Sequence, residues 1–140
     1  MKKTIVFFLV TTIFSTFLSC KSNKDNTNVS YFQYGGYGDT IVGTVQGNAM
    51  KIVTLDKIIP VLEFEVEINH SKKIKVNTEM DGSYFFNIEN GTYNLKYILK
   101  GYEPVVIKNY KSVSDQVTTI DVNFQKGNET QTYIAPKWEK

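Results

Sequence analysis

The sequence predicts an all-β protein: a seven-stranded antiparallel sandwich of two sheets, preceded by a signal peptide and a flexible tether. Three observations lead there. Short runs rich in Val, Ile, Thr, Tyr and Phe alternate apolar with polar residues, as half-buried strands do. Asp-Gly, Asn-Gly and Asn-His pairs punctuate them at turn positions. No segment carries the 3.6-residue apolar period of an amphipathic helix. A chain of 140 residues is long enough for one domain with short appendages.

The first nineteen residues read as an address (1–19). Lys2 and Lys3 precede an uncharged, mainly apolar run from Thr4 to Leu18, shorter than the ~20 apolar residues of a spanning helix. Ser19-Cys20 closes it. Residues 20–38 follow as Cys20 and a flexible tether, with "KSNKDNTNVS" polar and aperiodic. "YFQYGGYG" (31–38) is either a linker that lies on the domain or an extra edge strand. Fully extended, the chain from Cys20 to Gly38 spans about 60 Å, which keeps the domain near a membrane surface.

The sandwich is expected over 39–125. "TIVGTVQ" (40–46) is its first strand, and 47–59 is read as a long loop or a single helical turn. In "PVLEFEVEI" (60–68), Leu62, Phe64, Val66 and Ile68 take one face and Glu63, Glu65 and Glu67 the other. "KIKVN" (73–77) returns with Ile74 and Val76 inward and Lys73 and Lys75 outward. A glutamate stripe against a lysine stripe suits cross-strand pairing and reads as a solvated face. "SYFFNIE" (83–89) and "TYNLKYILK" (92–100) place Tyr84, Phe86, Ile88, Tyr93, Leu95, Tyr97 and Leu99 in the core, with tyrosine hydroxyls reaching the sheet rim. "EPVVIKNY" (103–110) and "QVTTIDVNFQ" (116–125) complete the set, the latter with Ile120, Val122 and Phe124 inward. Residues 126–140 form a polar tail carrying Trp138.

Composition narrows the function classes. One cysteine excludes an intramolecular disulfide, and the absence of arginine removes the preferred fork for phosphate recognition. Loss of Lys2 and Lys3 with the signal leaves fourteen lysines against fourteen acids, so no electrostatic footprint for nucleic acid remains. The lone histidine, His70, falls in a hairpin turn and cannot by itself assemble a triad or a three-ligand zinc site. The Glu63/Glu65/Glu67 row is open to water, where paired carboxylates gain no separation of pKa. Neither a catalytic site nor a cofactor or metal is expected. Aromatics outside the core pattern are the candidates for ligand contact: Tyr31, Phe32, Tyr34, Tyr37, Phe85, Tyr102 and Trp138.

Two resemblances add to this reading. Ser19-Cys20 after the apolar run resembles the lipobox of bacterial lipoproteins, with Phe17 where leucine is usual. It implies acylation of Cys20 and a location in the cell envelope, anchored to the outer membrane on its periplasmic or its exposed face. The alternative is an ordinary signal cut nearby, leaving Cys20 as a thiol. Over residues 40–125, Gly43-Thr44-Val45, Pro60, Asp81-Gly82-Ser83-Tyr84-Phe85-Phe86, Gly91-Thr92-Tyr93-Asn94-Leu95 and Gly101-Tyr102 together resemble the carboxypeptidase regulatory-like domain, a transthyretin (prealbumin)-like sandwich. Gln46 stands where that family usually has an acidic residue, and the 47–59 segment is longer than usual. The resemblance implies a non-catalytic module that binds or positions another envelope component, a protein or, alternatively, a glycan. Asp39-Thr40-Ile41 also resembles a bacterial O-glycosylation acceptor with Thr40 as the modified residue.

Fatty-acid labelling of growing cells tests the anchor. Wild type should incorporate label and Cys20→Ala should lose it; equal labelling of both would dismiss Cys20 as the acylated residue.

Overall fold

The structure, a computed structural model, describes residues 28–36 and 39–137. It is all-β, with ten strands among the described residues: β1 (Val29–Gly35), β2 (Gly43–Thr54), β3 (Lys57–Pro60), β4 (Glu63–Ile68), β5 (Lys72–Asn77), β6 (Ser83–Ile88), β7 (Gly91–Ile98), β8 (Val105–Ser112), β9 (Gln116–Phe124) and β10 (Gln131–Ile134). They form two open, mixed sheets that face each other as a sandwich. The first runs β1-β9-β2-β3, with β6 also pairing β2; the second runs β10-β8-β7-β4-β5.

The seven expected strands are all present, as β2 and β4 to β9, but the expectation of seven antiparallel strands needs correction. Three further strands exist, and two pairings, β2 with β9 and β8 with β10, are parallel. The segment 47–59 is not a loop. β2 runs on for twelve residues to Thr54, pairs β6 along Gly43–Asn48, and then pairs β3 along Met50–Thr54. Gly47-Asn48 looks like a turn because glycine and asparagine are the common turn residues. Here glycine serves close approach instead. A Cβ on Gly47 would lie 2.0 Å from the Ile120 carbonyl oxygen. The "YFQY" stretch is the extra edge strand, β1. Within the tail, Gln131–Ile134 adds β10 to the edge of the second sheet.

Alternation is obeyed where it was clearest. Phe64, Val66 and Ile68 are buried and Glu63 and Glu65 exposed. Glu65 sits opposite Lys75 and Glu67 opposite Lys73, with ion pairs from Lys75 to Glu63 (2.7 Å) and Lys73 to Glu67 (3.7 Å). These pairs are exposed at the lysine end and contribute little. Leu62 does not share the inward face. Val61 takes the buried place, its N–H donating to the Ala49 carbonyl, and Leu62 turns to solvent. Asn69 and His70 both have positive φ (49° and 58°), and Ser71 N–H returns to the Ile68 carbonyl. The hairpin thus closes through a three-residue loop, Asn69–Ser71, between the paired Ile68 and Lys72.

The core closes around Phe64. Its ring lies 5.0 Å edge-on from Tyr84, 5.6 Å stacked on Tyr97 and 6.1 Å from Phe124, joining both sheets. The two central tyrosine hydroxyls do not reach the rim, as the sequence suggested. Both side chains are buried. Tyr84 donates to the Ile120 carbonyl (2.5 Å), and its oxygen accepts from Tyr97 at 3.2 Å. A second polar lock sits at one edge. Asn28 donates to Gln125 and Gln131, and both glutamines donate to the buried Glu103 carboxylate (2.6 and 2.7 Å). It ties the start of β1, the end of β9 and the start of β10 together.

Gly47→Ala should cost ~3 kcal/mol or more, because the new methyl meets backbone rather than a movable side chain. Phe64→Ala should cost about 3–5 kcal/mol through lost burial and a residual cavity. Denaturant titration checks both; a change under ~1 kcal/mol at either site would contradict the packing described. Burial, the first cause in each case, raises the hydroxyl pKa of Tyr31, Tyr84, Tyr97 and Tyr110 above the ordinary value near 10. The fold therefore keeps protons that the unfolded chain releases above about pH 10, and stability is lost as pH rises beyond that point. Tyrosinate absorbance should show a cooperative step coincident with loss of the β signal in circular dichroism. Smooth ionisation of every tyrosine with the dichroism intact would be the contrary result.

Candidate functional site

The two outer faces of the sandwich differ in chemistry. The second sheet presents the Glu63/Glu65/Glu67 and Lys73/Lys75 stripes, with Lys96 opposite Glu67. The first sheet presents almost no charge. Its outward positions are Phe32 and Tyr34 on β1, Thr119 and Asp121 on β9, Thr44, Gln46 and Asn48 on β2, and Phe85 and Asn87 on β6.

Register aligns four of these in one row across the strands. Phe32 is opposite Thr119, Thr119 opposite Gln46, and Gln46 opposite Phe85. Three strand spacings put the two phenylalanines about 14 Å apart. Both are exposed, Phe32 at 63% and Phe85 at 73%. Tyr34 packs beside Phe32, ring centroids 5.7 Å apart, and sits opposite Val117 in the register. Gln46 is held between: its amide donates to the Tyr34 hydroxyl (3.1 Å) and lies 3.5 Å from the Thr119 hydroxyl. Thr44 donates to Asn87 (3.0 Å). The Asp121 carboxylate accepts the Asn48 backbone N–H (2.8 Å). Beside Phe85 a shallow open hollow of about 440 Å³ is lined by Thr44, Gln46, Asn77, Glu79 and Ser83. The arrangement offers exposed aromatic planes at two ends and amide and hydroxyl groups between them. That chemistry suits non-covalent recognition.

The structure brings together Phe32, Tyr34 and Phe85 of the aromatics singled out in the sequence. It separates the others. Tyr31 points inward, half-buried, stacked on Tyr133 at 5.6 Å and donating to Gln33 (3.2 Å). Tyr102 is half-buried against the core, so its position after Gly101 does not free it. Tyr37, Cys20 and Trp138 lie outside the described residues. Thr40 is exposed in the β1–β2 connection, where Asp39 accepts the Ile41 N–H (2.8 Å). Gln46, Thr44, Thr119 and Asn87 were missed as site residues, although all are uncharged polar residues at outward positions. His70 is exposed in its hairpin turn, 3.3 Å from a Glu67 oxygen. Among the described residues no group of three His, Cys, Asp or Glu side chains could hold a metal ion.

Neither the protein-family models nor the curated proteins compared with this chain match it.

Substituting the platform should spare the fold. Phe85→Ala and Phe32→Ala should each change unfolding free energy by no more than ~1 kcal/mol, since both rings are mainly in water. A loss comparable to that of Phe64→Ala would mean that these rings serve packing.

Proposed function

We propose that this chain is a lipid-anchored cell-envelope protein, held by Cys20, whose non-catalytic sandwich docks another envelope component. The motif resemblance supports a carboxypeptidase regulatory-like domain of transthyretin-like kind, here a seven-strand set extended by β1, β3 and β10. The observation that carries the docking role is the row Phe32–Thr119–Gln46–Phe85: exposed aromatic surface, in register, on a sheet face with almost no charge. Exposed aromatics clustered on one face are the surface feature enriched at recognition sites. Buried amides and hydroxyls elsewhere in the molecule lock strands, whereas those on this face lie beside open surface.

A second reading, a glycan as the docked component, is favoured by the same row. Aromatic planes can stack on the apolar faces of sugar rings while Gln46, Thr44 and Asn87 exchange hydrogen bonds with hydroxyls. Neither interaction needs the charges that this face lacks.

A photo-crosslinking residue at position 85 in intact cells should capture a discrete partner, and one at position 75 on the charged face should not. Additional Phe32→Ala substitution should weaken the capture at least tenfold, in the range expected when an aromatic anchor is truncated. Capture at position 75 alone, or none at either, would refute the platform. Binding of the purified domain on a glycan array, abolished by Phe85→Ala, would select the glycan reading; an array without hits would remove it.

A further inference from the structure

We infer that the β2–β3 hairpin is a second membrane contact, which sets the sandwich end-on against the bilayer that holds the acylated Cys20; this rests on the anchoring reading above. The argument begins with where the chain enters the fold. β1 runs antiparallel to β9, and Val29 is opposite Val122. β9 runs parallel to β2, and Phe124 is opposite Lys51. The start of β1 therefore lies at the same end of the sheet as the far end of β2. Only seven residues lie between Cys20 and Asn28, a reach of about 28 Å at full extension. Anchoring at Cys20 consequently keeps this end, rather than the opposite one, beside the bilayer.

That end carries an apolar overhang. β2 continues past its last pairing with β9 by Ile52, Val53 and Thr54, about 10 Å of strand, and returns through Leu55-Asp56 into β3. Leu55 at the tip is 99% exposed and Ile58 is 51% exposed. Leu62 and Met80 (90% exposed) lie at the same end. Thr78 N–H donates to the Leu62 carbonyl, and the Gly82 turn packs on Met50 and Pro60. Of the eight large apolar side chains most exposed among the described residues, four thus fall at the end where the chain enters. No such cluster is needed by the sandwich, whose core is complete without them.

Charge decides how this contact acts. Lys51, Lys57, Lys100 and Lys126 lie at this end, and Asp56, Glu63, Glu79 and Asp81 match them in number. The end has no cationic excess to hold an anionic surface. The hairpin therefore orients a protein already tethered, laying Leu55 and Ile58 into the headgroup boundary as interfacial apolar residues do, and does not recruit it. β3 itself is four residues long and bounded by Lys57 and Pro60, which guards its free edge against strand pairing.

The test uses the full lipidated chain in vesicles of phosphatidylethanolamine and phosphatidylglycerol containing spin-labelled lipid. With Cys20 acylated, Leu55→Cys offers one thiol for a polarity-sensitive dye, and Asn90→Cys offers one at the opposite end. The dye at position 55 should shift to the blue and be quenched by the spin label; the dye at position 90 should do neither. Water-like emission at 55, or quenching at 90 in its place, overturns the inference. Co-sedimentation separates it from the anchoring reading. Wild type that pellets with vesicles, while Cys20→Ala stays in solution, confirms the anchor whatever position 55 reports. Wild type left in solution overturns both. A Cys20→Ala chain that pellets unaided overturns the orienting role, because the hairpin would then be an anchor.

Discussion

The fold turns on a two-residue interruption between β2 and β9. The parallel ladder is continuous to Gln46–Thr119 and resumes at Ala49–Val122. Between them, Gly47 and Asn48 face Ile120 and Asp121 without ordinary pairing. Two groups beside the gap have side-chain partners instead. The Ile120 carbonyl accepts the Tyr84 hydroxyl, and the Asn48 N–H goes to the Asp121 carboxylate. An unpaired buried carbonyl would cost about 1–3 kcal/mol, so these substitutions decide whether the gap is tolerable. Gly47 is the residue that permits it, since any side chain would strike the Ile120 carbonyl. The inner side of the gap orients Tyr84, and through it Tyr97 and Phe64; the outer side fixes the Asp121 carboxylate.

From β2 the two proposed contact surfaces follow. Its first half carries Thr44 and Gln46 onto the outer face between β9 and β6, where they sit among Phe32, Tyr34 and Phe85. Its second half outruns β9 and trades β6 for β3, producing the overhang with Leu55 at the tip. One strand thus belongs to the platform at one level and to the projecting hairpin at the other. The charged stripes of the second sheet belong to neither, and their pairing with one another keeps that face solvated.

Much of this was legible from the sequence, and the parts that were not share a physical origin. Strands with strict alternation and charged outward residues, such as Glu63–Ile68, announce both their existence and their face. β2 beyond Gln46 was hidden because Gly47-Asn48 has turn chemistry, and nothing local says that a neighbouring carbonyl occupies the space a side chain would take. β10 was hidden by its polarity: Gln131 serves the Glu103 lock, a contact between residues 28 apart in sequence. Parallel pairing leaves no local trace at all. For the site, Phe85 was identified because it breaks step with Tyr84 and Phe86, whereas Tyr31 misled because its inward stacking on Tyr133 depends on an edge strand in the other sheet. In β8, Asn109, at φ 60°, shifts the alternation and turns Tyr110 into the core, which no local pattern announces.

The geometry of the ends bears on how the platform would be used. Strands of the first sheet run from the end where β1 starts to the opposite end, so an end-on sandwich holds its outer face along the membrane normal. A flat-lying sandwich would press one sheet face against lipid and lose either the aromatic row or the charged stripes. End-on placement leaves both faces open sideways, and the row Phe32–Thr119–Gln46–Phe85, which crosses the strands, then runs parallel to the membrane plane. A partner docked there would lie along the membrane plane rather than stand away from it. With the proposed anchor at Cys20, the seven residues before Asn28 would set how far above the bilayer that row can rise, and the hairpin would set how far the sandwich can tilt. Tether length and hairpin length are therefore coupled. A longer linker without the overhang would free the row to face any direction, and the overhang without the anchor would have no charge to hold it at the surface.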